Sequence, residues 1–185
     1  MKDDFYIGYF SLEKNVNQNG FLGAMLVVDS MSRPVEFRVT FPVKPSAIQK
    51  PLYGDAMEPY IGVELCGKQL LDSLDHHLST IMVNNEKLLG IRDYINSPVL
   101  FIQRAGDVIE VDSGNKQFGN KSKIKSASGR FQPITIFSAK NYPEDLSKAK
   151  KIMQDMFEDT DLMEPFERIK LAVDTLSDQD ERFSF

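Results

Sequence analysis

The chain has 185 residues, of which 42% are hydrophobic and 26% charged, proportions that exclude a disordered or fibrous chain and fit one α/β domain over 1–185. A formal charge of -5 excludes a dominant positive field over the whole surface, leaving local patches to be read separately. The single cysteine, Cys66, excludes an internal disulfide, and the opening MKDDFYIGYF lacks the basic start and apolar core of a signal peptide, so a cytoplasmic protein with no membrane association is expected.

Phe5 to Leu12 (FYIGYFSL) reads as a strand, and the polar stretch Glu13 to Asn19 as the turn that follows it. Phe21 to Val28 is an apolar run too short to span a bilayer, which predicts a central strand buried on both faces. After the turn Asp29-Ser30-Met31-Ser32, Pro34 opens a third antiparallel strand. In it Val35, Phe37, Val39 and Phe41 alternate with Glu36, Arg38 and Thr40, which assigns the apolar set to the core and the polar set to water. Ser46 caps a short helix through Tyr53, and Asp55 with Glu58 forms a capping-box pattern for a longer one. Met57, Ile61, Leu65, Leu71, Leu74 and Leu78 supply its apolar stripe.

Thr80 to Val83 is a short β-branched strand, Glu86 to Ile95 a helix, Pro98 to Gln103 a buried strand, and Ala105 to Asp112 an edge extension. From Ser113 to Pro143 the basic residues Lys116, Lys121, Lys123, Lys125, Arg130 and Lys140 are interleaved with Gly, Asn and Ser without an acid, so 113–130 reads as a mobile basic loop. Phe131 to Phe137 is strand-like, and Pro133 assigns it to an edge. A C-terminal helical pair over 144–177 follows, Glu144 to Phe157 and Leu162 to Leu176, with a frayed polar tail from Ser177.

Three antiparallel strands followed by helix, strand, helix and strand resemble the ribonuclease H-like fold, a mixed sheet of about five or more strands covered by helices. The words GFLGAMLVVDS, RPVEFRVTFPVKP and QKPLYGDAMEPYIGVEL resemble an uncharacterised bacterial protein family. That resemblance implies a bacterial cytoplasmic setting and no activity, cofactor or catalytic residue.

A ribonuclease H-like nuclease needs carboxylates converging at one sheet end to hold two divalent cations. The first strand contains none, Glu58 and Glu64 lie on the first long helix, Glu86 follows the fourth strand, and Asp29 reads as a turn residue. No metal site is expected there or at His76 and His77, because adjacent helical residues point about 100° apart and chelate poorly. Cys66 reads as a small buried residue rather than a nucleophile. No cofactor is expected: the dinucleotide and phosphate-loop patterns are missing, and Gly114 to Gly119 lacks their strand and helix context.

Glu36 and Arg38 on the wet strand face, with Gln49, Tyr53 and Tyr60, form a candidate surface for a protein partner. Lys116, Lys121, Lys123, Lys125 and Arg130 form a candidate nucleic-acid surface, with Phe118 and Phe131 placed to stack on bases. The leading expectation is a non-catalytic accessory protein acting by protein contact. The alternatives are a nucleic-acid-binding protein using the basic loop, and a divergent metal-dependent nuclease.

Overall fold

The computed structural model describes residues 5–15, 20–107 and 118–184. Its centre is a seven-stranded mixed sheet in the order β3-β2-β1-β4-β5-β7-β6. The strands are β1 (Ile7–Asn15), β2 (Gly20–Val28), β3 (Pro34–Val39), β4 (Thr80–Val83), β5 (Val99–Arg104), β6 (Phe118–Ile124) and β7 (Ile134–Ala139). β1, β4 and β5 run parallel, and every other pairing is antiparallel. β1 continues through Glu13, Lys14 and Asn15, which pair with Leu22, Phe21 and Gly20, so the first three residues of the expected turn are strand.

Two hydrophobic layers sandwich the sheet. On one face Tyr9, Leu26, Met82, Leu100 and Ile136 pack with residues of α4 (Asp145–Phe157) and α5 (Glu164–Gln179), among them Met153, Phe157, Phe166 and Ile169. On the other, Phe10, Met25, Ile81 and Phe101 meet Ile61, Val63, Cys66, Leu70, Leu88 and Ile91 from the helical segments between β3 and β5. β2 is the interior strand expected of an apolar run, because both of its faces are covered.

The first helical layer contains α1 (Gln49–Tyr53), then α2 (Met57–Pro59), which runs through a π-helical stretch, Tyr60–Gly67, into α3 (Lys68–Asp72). The wider π turn rotates the buried face. Ile61, Val63, Cys66 and Leu70 are buried, whereas Leu65, Leu71 and Leu74 of the expected stripe are only half-buried. Gly23 permits this layer to approach β2 closely: a Cβ there would lie 2.5 Å from Cys66 Cβ. Cys66 is thus a buried filler whose thiol accepts from Thr40 Oγ1 at 3.7 Å, and burial raises its pKa. Glu86–Tyr94 is a 3₁₀ helix begun by Asn85, whose side chain accepts from the Lys87 amide.

Three other expectations are corrected. The faces of β3 are reversed: the Glu36 side chain is 6% exposed, whereas Val35 and Phe37 are each 38% exposed. The reason is coverage, since α5 packs on β1 and β2, leaving the apolar side of the edge strand β3 uncapped while the chain after α3 folds over its polar side. Residues 118–124, expected as loop, form the edge strand β6, and β7 is therefore interior. Pro133 is tolerated because it precedes β7, where its carbonyl accepts from the Ala105 amide. The tail is folded, not frayed: α5 continues to Gln179, a 3₁₀ turn spans Glu181–Phe183, and Phe183 stacks on Phe41. The Ala105 to Asp112 extension lies outside the described residues beyond Asp107. Among the described residues no helix is long and apolar enough to cross a membrane.

Candidate nucleic-acid interface

The parallel strands β1, β4 and β5 end together along the carboxyl-terminal edge of the sheet, distinct from its outer strands β3 and β6, where a mixed sheet commonly carries its ligands. One residue beyond the paired Phe10 and Val83, Asn84 Nδ2 donates to Ser11 Oγ at 3.3 Å. Ser11 Oγ in turn donates to Glu13 Oε1 at 2.6 Å. Beside this row, α2 presents Glu58, which accepts from Asn85 Nδ2 at 2.6 Å and Lys87 Nζ at 3.1 Å and pairs with Lys14 Nζ at 2.7 Å. Burial works against the charge on Glu58, but the bonds from Lys14 and Lys87 outweigh it and hold the carboxyl below its usual range.

The chemistry available at this edge follows from the donor set. Ser11 and Asn84 offer a neutral hydroxyl and a neutral amide where a two-cation centre needs carboxylates; the longer β1 does bring in one acid where none was expected, Glu13, which accepts from Ser11, and Glu58 is already compensated by two ammonium groups. Among the described residues no group of three or more His, Cys, Asp or Glu is placed to hold a metal ion. Amide, hydroxyl and ammonium groups are instead the types that contact phosphate and sugar oxygens. Of the other acids, Asp29 caps its own turn, accepting from the Met31 and Arg33 amides at the opposite end of β2, and Glu64 accepts from Tyr94. Asp29 and Glu64 are therefore committed elsewhere.

On β6, Lys121 and Lys123 stand opposite Phe137 and Thr135 on one face of the sheet, and Lys125 continues the alternation after buried Ile124. All three are exposed, and none has an ion pair among the described residues. Arg130 lies over the Phe131 ring, and Lys116 lies outside the described residues. Phe118 and Phe131 do not await bases: Phe118 packs on Phe101 and Phe137, and Phe131 stacks on Phe157.

The five residues expected at a protein-binding surface are all engaged by neighbours within the fold. Glu36 accepts from Arg38 Nε at 2.7 Å and from the Asp75 amide, and its second oxygen meets His76 Nδ1 at 2.8 Å. Arg38 Nη2 also donates to Asp75 Oδ2. Burial opposes the charge on Glu36, yet the bonds from His76, the Asp75 amide and Arg38 pull its pKa down to about 2. Gln49 is used by its own helix, exchanging bonds with Ser46, while Tyr53 stacks on Tyr60. His76 and His77 lie beyond the end of α3, and His76 is engaged by Glu36 and by the edge of Tyr6.

The residues missed by sequence reasoning are Ser11, Glu13, Lys14, Asn84, Asn85 and Lys87. Their signal was the polar step that ends each of two apolar strands, SLEK after β1's apolar start and NNEK after β4.

No family model and no curated protein matches the chain. Solved structures do. An Endonuclease V of Ciona intestinalis in complex with a 23mer DNA containing an inosine followed by a ribo-adenosine is similar at TM-score 0.55 and 16% identity, covering 93% of this chain and 87% of that one. Endonuclease V of Bacillus subtilis is similar at TM-score 0.57 and 10% identity over 94% and 80% of the two chains. The catalytic domain of human Endonuclease V is similar at TM-score 0.52 and 12% identity over 95% and 85%. The fold is thus the ribonuclease H-like α/β fold, with its mixed sheet and C-terminal helices. These likenesses correct the expectation of an accessory protein acting by protein contact, because three solved structures similar over 93% or more of this chain are endonucleases, one of them bound to DNA.

Proposed function

We propose that this chain is a nucleic-acid-binding protein, which holds a strand at the β1–β4 edge and along the lysine row of β6 without two-metal cleavage at that edge. One observation carries the reading. In a chain with 27 acidic against 22 basic residues, Lys121 and Lys123 share one exposed face of β6 and exposed Lys125 follows it, none with an ion pair among the described residues. Support comes from the whole-chain likeness to Endonuclease V, one of whose structures holds DNA. The neutral Ser11 and Asn84 pair supports binding over hydrolysis, since it offers hydrogen bonds where a cation pair needs negative charge. We place this activity in a bacterial cytoplasm.

The test is anisotropy of labelled single-stranded and duplex oligonucleotides, inosine-containing ones among them, with a parallel cleavage assay in magnesium and manganese. Salt-sensitive binding with intact oligonucleotides is expected. Cleavage that disappears in Glu13→Gln or Glu58→Gln would replace this reading with that of a divergent nuclease, and absence of binding would end it.

A further inference from the structure

We propose that the cleft between the π-helical stretch, the 3₁₀ helix and the link from β7 to α4 is a stacking site for one unpaired base of the bound strand; this rests on the nucleic-acid reading above. The cleft has a volume of about 560 Å³, within the range of small-ligand pockets and large enough for a nucleotide. Tyr60, Tyr94 and Tyr142 enter it from three separate segments of the chain, over a floor that includes buried Val63 and Leu89.

Two of the tyrosines spend their hydroxyls within the fold and leave their rings for a ligand. Tyr94 donates to Glu64 at 2.5 Å and Tyr142 to Asp93 at 2.8 Å, so both hydroxyls are occupied. Lys68 Nζ sits 4.7 Å from the Tyr94 centroid and the Arg92 guanidinium carbon 4.0 Å from that of Tyr142, fixing each ring by a cation. Tyr94 remains 42% exposed, so part of its ring is open to a ligand entering the cleft.

The charges of the cleft select the ligand class. Glu64 and Asp93 are engaged by the tyrosines and disfavour a compact anion buried between them, while Lys87 and Lys140 disfavour a cation. A neutral ring lying on tyrosine, with its phosphates directed outward toward the two lysines, satisfies both. Lys87 also bonds Glu58 at 3.1 Å, so the cleft begins where the β1–β4 edge ends. A strand seated at that edge therefore reaches the cleft past a single side chain.

The experiment uses the full chain and a single-stranded oligonucleotide carrying one 2-aminopurine, whose fluorescence is quenched on stacking. Wild-type protein is expected to quench it, Tyr94→Ala to lose the quench and bind about tenfold more weakly, and Tyr94→Phe to keep both ring and quench. Thermal melting of each variant checks the fold. Wild-type affinity in Tyr94→Ala with unchanged probe fluorescence would overturn the stacking site while leaving nucleic-acid binding intact. A loss in Tyr94→Phe equal to that in Tyr94→Ala would also overturn it, by assigning the effect to the bond with Glu64. Failure of every variant and of wild type to bind would instead remove the nucleic-acid reading, and the stacking site with it.

Discussion

The two edge strands of the sheet carry charged residues at the same spacing of two, Glu36 and Arg38 on β3, Lys121 and Lys123 on β6, and they use them in opposite ways. On β3 the chain leaving α3 folds across the strand, so that the Asp75 amide, His76 and Arg38 converge on Glu36 and close a network around it. On β6 no described segment covers the lysines, and they keep their charge for solvent or a ligand. Period-2 charge therefore identifies a face, while a segment some forty residues away (Asp75 and His76 from Glu36) decides whether that face is structural or available.

The sharpest way to break this contrast is to remove its closed half. Glu36→Ala leaves the Asp75 amide, His76 and the Arg38 guanidinium without their shared acceptor, and a loss of about 1 to 3 kcal/mol is expected from donors left without a partner, read as a fall in urea midpoint. The same network makes a signed prediction with acid. Because the folded pKa of Glu36 lies near 2, below the unfolded value of 4.5, its stabilisation is present above the unfolded value and is lost as pH falls from 4.5 toward 2. Urea midpoints over that window should decline in wild type by more than in Glu36→Ala; parallel declines would mean that the network contributes nothing. The smallest effect is expected on the open half: Lys121→Ala, Lys123→Ala and Lys125→Ala should each change stability by less than about 0.5 kcal/mol. A larger loss would show that the lysines are structural after all.

Much of the fold was legible because its signals are local. The eight-residue apolar run of β2 and the β-branched β4 were readable as buried strands, and the amphipathic spacing of α4 and α5 placed both helices within a few residues. β6 was hidden by composition, since Gly119, Asn120, Ser122 and two lysines look like a solvated loop until β7 supplies a partner. The faces of β3 were misread because alternation cannot say which face a distant segment will cover. The π-helical stretch was unreadable for a related reason: the stripe was counted on an ideal α-helix, and the close approach of Gly23 to Cys66, residues from separate elements, sets the actual face. The candidate site was the least legible part. Ser11 and Asn84 become neighbours only through the parallel register of β1 and β4, and Glu58 joins Lys14 and Lys87 only after α2 packs against them.

The salt dependence of nucleic-acid binding, compared between wild type and the triple variant Lys121→Ala, Lys123→Ala, Lys125→Ala, tests the central claim most directly. If the lysine row contacts phosphates, the slope of log affinity against log salt for a single strand should shrink by roughly 0.7 for each contact removed, about 2 in all, with the fold and the urea midpoint unchanged. An identical slope in wild type and variant would contradict the account, because the free charge of β6 would then play no part in holding a strand.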